Sequence, residues 1–273
     1  MTPMIAPSPQ SPIERPRPGA KEGLRSFFGG FGFILSNPGV WPLALVPVAV
    51  ALALFGGLGY LAAELVPPRI EALFGEPAAR GTAMGVVAWL VKALALALAL
   101  LAAALVSFGL AQPLSGPALE RIVRRVEAGL GAPPWPNTSF IADIARSLQT
   151  VIVGFAFALP LLALLFVIDL FVPPAIVVTF PAKLLVTALM ITWDLCDYPL
   201  SIRGVAAGER VAFFRRNSRA ALGFGLGLAL ISLVPCLIVL ALPAGVAGAA
   251  RLVVTIERWE RGDKGAPPSP PPS

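Results

Sequence analysis

Histidine is absent from this 273-residue chain, and only 13% of its side chains are charged. Without His the chain lacks the commonest general base and transition-metal ligand. There are only two cysteines, Cys196 and Cys236. They show no CxxC spacing and sit in or beside apolar segments, so they read as buried thiols in preference to a disulfide or a metal site. HExxH, GxSxG and paired membrane aspartates with catalytic spacing are missing too, which leaves an intramembrane enzyme without its working parts. No catalytic residue, metal or cofactor is expected.

The shortage of charge excludes more than chemistry. A soluble domain is about a quarter charged, and a chain with half that cannot cover a surface facing water. The 57% of residues that are hydrophobic, with a mean hydropathy of +0.82, require lipid as their solvent. The net charge of +6 would suit a nucleic-acid binder. However, the cations flank apolar runs instead of lining a soluble face, as basic loops beside membrane helices do. No nucleic acid is expected. A cleavable signal peptide is not expected either, because residues 1–25 are rich in Pro and charge and the apolar stretch that follows is far longer than an h-region.

Charge and proline positions divide the chain. Residues 1–21 and 262–273 are Pro-rich and read as disordered tails around a helical membrane domain over 22–261. Ser26 to Ala63 carries no charge and is too long for one span. Divided at Asn37-Pro38-Gly39, it becomes a short interfacial or re-entrant helix over 24–35 and a first full span over 40–63. Pro67-Pro68 is expected to break that helix. The second span covers 83–111, with Lys92 either snorkelling to the interface or acting as a buried functional charge. Residues 113–130 form an amphipathic helix. Leu119, Ile122, Val123, Val126 and Leu130 share its apolar face, and Arg121, Arg124 and Arg125 point elsewhere, which places it at the cytoplasmic interface. Pro133 to Pro136 forms a rigid turn, and Asn137 to Ser139 supplies N-caps for a short helix through Arg146.

Two later apolar blocks read as hairpins. The first spans 147–193 and turns near Pro173, with a short returning limb over 182–193. The second spans 220–256 and is broken by Pro235 and Pro243. Between them, residues 194–219 read as a basic cytoplasmic segment containing Arg203, Arg210, Arg215, Arg216 and Arg219. The fold class is therefore all-α integral membrane: two long transmembrane helices plus two Pro-broken helical hairpins, whose depth of penetration the sequence leaves open, and amphipathic interfacial helices. Both termini fall on the cytoplasmic side, in a bacterial inner membrane.

The second half resembles a known family. Trp193-Asp-Leu-Cys-Asp-Tyr-Pro199 is similar to the Asp-Tyr-Pro signature of CysZ-type sulfate permeases and the related etoposide-induced-protein family. The resemblance continues through Phe213-Phe-Arg-Arg216, Gly223-Phe-Gly225, Val234-Pro235 and Pro243-Ala-Gly-Val-Ala-Gly-Ala249. Upstream, Ala111-Gln-Pro113 and Pro38-Gly39 with Pro47 resemble the family's earlier elements, so that the likeness covers roughly residues 22–258. It makes Pro113, Pro199, Pro235, Pro243 and Gly248 structural motif positions. It implies two long transmembrane helices, two partly penetrating hairpins, a homo-oligomer and sulfate uptake. In the permeases a Gly-Leu-Arg-type motif follows the Pro-Gly element and holds sulfate. Here the matching positions are Gly39, Val40, Trp41 and Pro42, without a cation.

Two functions follow from these readings. One is a transporter or channel for a small anion such as sulfate, with Gly39, Asp169, Lys183, Asp194, Asp197, Tyr198 and Arg203 as anion or pathway residues; backbone N–H groups at Gly39 would face the anion. Asp197 and Tyr198 have a structural alternative: capping the hairpin exit while Pro199 ends the helix. Asp169 and Lys183 could simply face water at the turn. The other function is a non-transporting scaffold or biogenesis factor. In that role Arg121, Arg124, Arg125, Arg210, Arg215, Arg216 and Arg219 would meet anionic lipid headgroups or a partner.

Overall fold

The computed structural model describes residues 17–74, 82–133 and 140–262. Most of both Pro-rich tails, the turn and capping residues at 134–139 and the side chain of Cys236 lie outside the described residues. Nine α-helices make up the described chain: α1 (Ala20–Ser36), α2 (Trp41–Phe74), α3 (Thr82–Leu114), α4 (Gly116–Gly129), α5 (Phe140–Phe171), α6 (Ile176–Ile202), α7 (Ala207–Arg216), α8 (Ser218–Ser232) and α9 (Pro235–Glu260). Two short 3-10 turns, Pro38–Val40 and Pro173–Ala175, precede α2 and α6. The chain is an all-helical membrane protein. Among the described residues, four stretches are long and apolar enough to cross a bilayer: Pro38–Leu73, Met84–Leu114, Pro173–Ile202 and Leu240–Glu260.

The helices form two pairs around a central group. α2 packs along α3, and α5 packs along α6. Both pairs turn long rows of Leu, Val and Phe outward, among them Leu52, Leu61, Leu94, Leu98, Leu105, Phe157 and Phe166. In water such a surface would be untenable; against acyl chains it is the required one. The centre is built by α9, which is largely buried within the protein, with α1, α8 and α6 packed around it. Phe224, Leu228, Val246, Leu252, Val253 and Ile256 are fully buried there.

Glycine sets how closely the central helices approach. At Gly30 a Cβ would collide with the Ala244 carbonyl and come within 2.6 Å of the Gly248 amide nitrogen. At Gly23 it would collide with the Ala220 carbonyl and come within 2.7 Å of the Phe224 nitrogen. Both glycines lie on α1, one facing α9 and the other α8. Backbone-to-backbone contact of this kind is the main source of helix association where the hydrophobic effect is weak. Gly248, expected as a structural motif position, therefore works as half of a helix crossing.

Several expectations change in detail. α1 begins at Ala20, inside the stretch assigned to the tail, with Glu22 accepting the Gly19 N–H at 2.8 Å. Pro67 and Pro68 do not end α2, which runs on to Phe74. The carbonyls they deprive of donors belong to Ala63 and Glu64, which are exposed and so need no protein partner. The first hairpin turns at Pro173, as its sequence indicates, but the returning limb is not short. α6 has 27 residues, passes through Pro181 and Pro199, and ends at Ile202. At 1.5 Å per residue it is about 40 Å long, enough to cross a core of about 30 Å. Pro199 therefore does not stop the helix at the hairpin exit. Pro235 opens α9 at its first position, where its missing N–H costs nothing, and Pro243 lies inside α9. Pro113 sits in the last turn of α3, just before the bend at Ser115.

The amphipathic helix is also relocated. α4 has the expected apolar face, with Leu119, Ile122, Val123 and Val126 almost wholly buried and Leu130 half-buried. That face packs on α9, α2 and α6, not on lipid. Burying each of these side chains stabilises the fold by about 1.5–3 kcal/mol relative to water.

Candidate functional site

The residues between 194 and 219 read as a solvated basic loop, yet the fold takes Asp197, Arg203 and Arg210 into a polar layer inside the protein. Arg203 closes α6, and its side chain is only 3% exposed. Nη1 lies 2.6 Å from Glu127 Oε1 of α4 and donates to the Pro199 carbonyl. Nε lies 2.6 Å from Glu257 Oε1 of α9. One guanidinium thus ties three helices. Burial pushes the Glu127 carboxyl above the usual carboxylate range, while the charge and hydrogen bond of Arg203 pull it down.

Nearly two turns back on α6, Asp197 is buried and paired with Arg210 of α7. Arg210 also donates to the Val205 carbonyl at 2.9 Å and to Ser201. The assignment of Arg210 to a lipid- or partner-facing set is overturned, because the residue is 2% exposed. A buried carboxylate needs a charged donor more than a membrane surface does. Asp194 and Tyr198, one turn apart on α6, are met by a different helix. Gln112, from the end of α3, donates to Asp194 Oδ2 at 2.5 Å and is also a hydrogen-bond partner of Tyr198. The α2–α3 pair is thereby joined to α6 by polar groups.

Gly39 lies in the 3-10 turn that leads into α2. Its carbonyl accepts a hydrogen bond from Arg125 Nη1 at 2.7 Å, and the Trp41 indole N–H donates to the Ile34 carbonyl at 2.9 Å. The sequence after Pro38-Gly39 carries no cation, but α4 brings one to the same turn. Asp169 and Lys183 pair across the first hairpin, with Thr179 donating to the same carboxylate. Lys92 pairs with Glu71 at 2.5 Å, both partly exposed, which is the environment of a snorkelling lysine. Arg124 binds Glu120 one turn before it. Arg121, Arg215, Arg216 and Arg219 are exposed. Among the described residues no cluster of His, Cys, Asp or Glu is fit to hold a metal, and Cys196 is a buried free thiol.

The family described as "Sulfate transporter CysZ/Etoposide-induced protein 2.4" matches residues 26–243, most of the chain. The chain belongs to this family. Among curated members, the "Sulfate transporter CysZ" of Pseudomonas fluorescens (strain Pf0-1) is 27% identical over 230 residues, covering 84% of this chain and 88% of that protein. The protein of the same name from Pectobacterium atrosepticum is 26% identical over 240 residues, covering 86% and 85%. The one from Pseudomonas aeruginosa PAO1 is 24% identical over 217 residues, covering 79% and 88%. This CysZ-family chain is thus similar to sulfate transporters along nearly its whole described length.

Several polar residues escaped sequence reasoning: Gln112, Glu127 and Glu257 of the polar layer, and Thr179 at the first hairpin. Only Glu127 left a signal. It stands one turn after Val123, on the apolar face of α4, where an acid without a partner would be costly. Its partner, Arg203, is 76 residues away in the chain and has no local signature.

Proposed function

We propose that this chain is a membrane permease for a small oxyanion, with sulfate as the first candidate. The observation that carries the proposal is family membership over residues 26–243 together with relatives named as sulfate transporters that align over 84% of the chain. The long apolar helices α2, α3 and α6 supply the membrane-crossing scaffold. The polar side chains of α6 and its neighbours, Asp194, Tyr198 and Gln112, supply hydrophilic groups at membrane depth, and these in general mark substrate pathways. Arg125 brings a guanidinium to the Gly39 turn, which itself carries no cation, and this supports an anion site there. The permease moves its anion without a chemical step. It sits in a bacterial inner membrane with both termini cytoplasmic, as the basic segments around 121–125 and 215–219 favour, and it works as a homo-oligomer.

Radiolabelled sulfate flux into proteoliposomes tests the reading. The wild-type protein should exceed empty vesicles, and Arg125→Ala should lower the flux while the protein remains folded. Flux equal to that of empty liposomes would remove the permease. It would favour a scaffold whose exposed Arg121, Arg215, Arg216 and Arg219 meet anionic headgroups.

A further inference from the structure

α1 and α9 run antiparallel in a register that brings cations together. Arg17 lies over the Trp259 ring, 5.1 Å from its centroid. Two turns along α1, Arg25 is the charge that bears on Arg251 of α9. The Arg251 side chain passes over Gly29, so closely that a Cβ there would come within 2.6 Å of its Nε. Lys21 precedes Arg25 by one turn and shares its face. Among the described residues none of Lys21, Arg25 and Arg251 has an acidic partner. The nearby acids are engaged elsewhere: Glu22 accepts the Gly19 N–H, and Glu257 is held by Arg203.

Two guanidinium groups held together without a counter-charge repel one another, the more so beside a low-dielectric surface. Their level in the chain says what would answer them. Arg25 is the last charge before the uncharged run from Ser26 to Ala63, and Arg251 is the first after the uncharged run from Ala220 to Ala250. Both therefore stand where apolar helix gives way to charged helix. Leu24 and Phe28, on either side of Arg25 in sequence, are exposed. A free anion would leave those apolar side chains bare, whereas a lipid covers them.

We infer that Arg25 and Arg251, with Lys21, seat the phosphate of an anionic phospholipid, whose acyl chains lie along Leu24 and Phe28. Guanidinium forks match phosphate oxygens in pairs, so a single headgroup bridges α1 and α9 at the N-terminal end of α1. The seat is separate from the Gly39 turn and does not depend on the transported substrate.

The test is native mass spectrometry of the full chain in detergent, titrated with phosphatidylglycerol or with phosphatidylcholine. The wild type should hold one phosphatidylglycerol adduct more tightly than any phosphatidylcholine adduct. Arg25→Gln should weaken it about fivefold, and Arg25→Gln/Arg251→Gln about 25-fold, at about fivefold per cation. The charge-matched Arg69→Gln/Arg261→Gln protein, altered at two exposed cations away from the seat, should bind like the wild type. Arg25 is exposed, so its single variant keeps the test open if the change at Arg251 disturbs the α1–α9 contact. Equal losses in the two double variants, or no preference for phosphatidylglycerol, would overturn the inference. Displacement of the adduct by millimolar sulfate or inorganic phosphate would also overturn it, by assigning the cations to a free anion.

Discussion

Replacing Arg203 with Ala should expose how much the fold depends on one guanidinium. The side chain is 3% exposed and holds the carboxylates of Glu127 and Glu257, the first of which is itself almost fully buried. Removing one partner of such a group leaves uncompensated buried charge, at a cost of about 3–5 kcal/mol. For a chain of this size that lowers the unfolding midpoint by about 10 °C. The loss should depend on pH in a defined direction. Burial already holds the folded Glu127 carboxyl above its ordinary value, so the folded protein keeps this proton more tightly than the unfolded chain does. Its contribution to stability is present at low pH and lost as pH rises through the folded pKa. Without Arg203 the downward pull disappears and that loss becomes larger. Midpoints of the detergent-solubilised proteins measured at acid and alkaline pH should therefore show Arg203→Ala far below wild type in alkali and closer to it in acid. Adding Glu127→Gln should recover part of the alkaline deficit. An Arg203→Ala protein matching wild type at alkaline pH, or one whose deficit grows in acid, would refute the reasoning.

Other consequences can be measured separately. Gly30→Ala forces α1 away from the Ala244 carbonyl and should destabilise the protein by about 3 kcal/mol, read as a lowered midpoint and early elution as aggregate; Gly32→Ala, on the same helix with open space around it, should be silent. In a Cys236→Ser background the fully buried Cys196 should resist a membrane-permeant maleimide until the protein is unfolded in SDS, and fast labelling of the native protein would contradict the packing of α6. An alkaline phosphatase fused after Gly262 should be inactive in intact cells, and activity there would reverse the proposed topology.

Much of the architecture was legible because membrane folding leaves strong local traces. Uncharged runs marked the long helices, Pro173 and Pro235 marked the turns, and the spacing of Leu119, Ile122, Val123 and Val126 marked a helix with one buried face. The destination of that face was not legible. An apolar stripe beside basic residues reads alike whether it meets lipid or a neighbouring helix, and α9, which covers it, lies more than a hundred residues further on. The segment after Asp194 misled for a related reason. Dense charge ordinarily signals water, and Arg215, Arg216 and Arg219 do stay exposed, but Asp197 with Arg210 and Arg203 with Glu127 neutralise one another across helices, so the first part of the stretch folds inward. Pro67-Pro68 misled in the opposite way, since its broken hydrogen bonds fall where the helix is exposed. The candidate site was legible as a set of residue types on α6, but its partners Gln112, Glu127 and Glu257 were not.

The seating of α1 has a consequence for the order of synthesis. Arg17 and Arg216 touch although 199 residues separate them, and the glycine contacts of α1 are made with α8 and α9 alone among the crossings described above. Of the described helices, the first to leave the ribosome must therefore wait for the last two before it finds its place. Until then Phe27 and the rest of its inward side have no neighbour, so a chain interrupted before α8 would present α1 as an orphan to the cell's quality control.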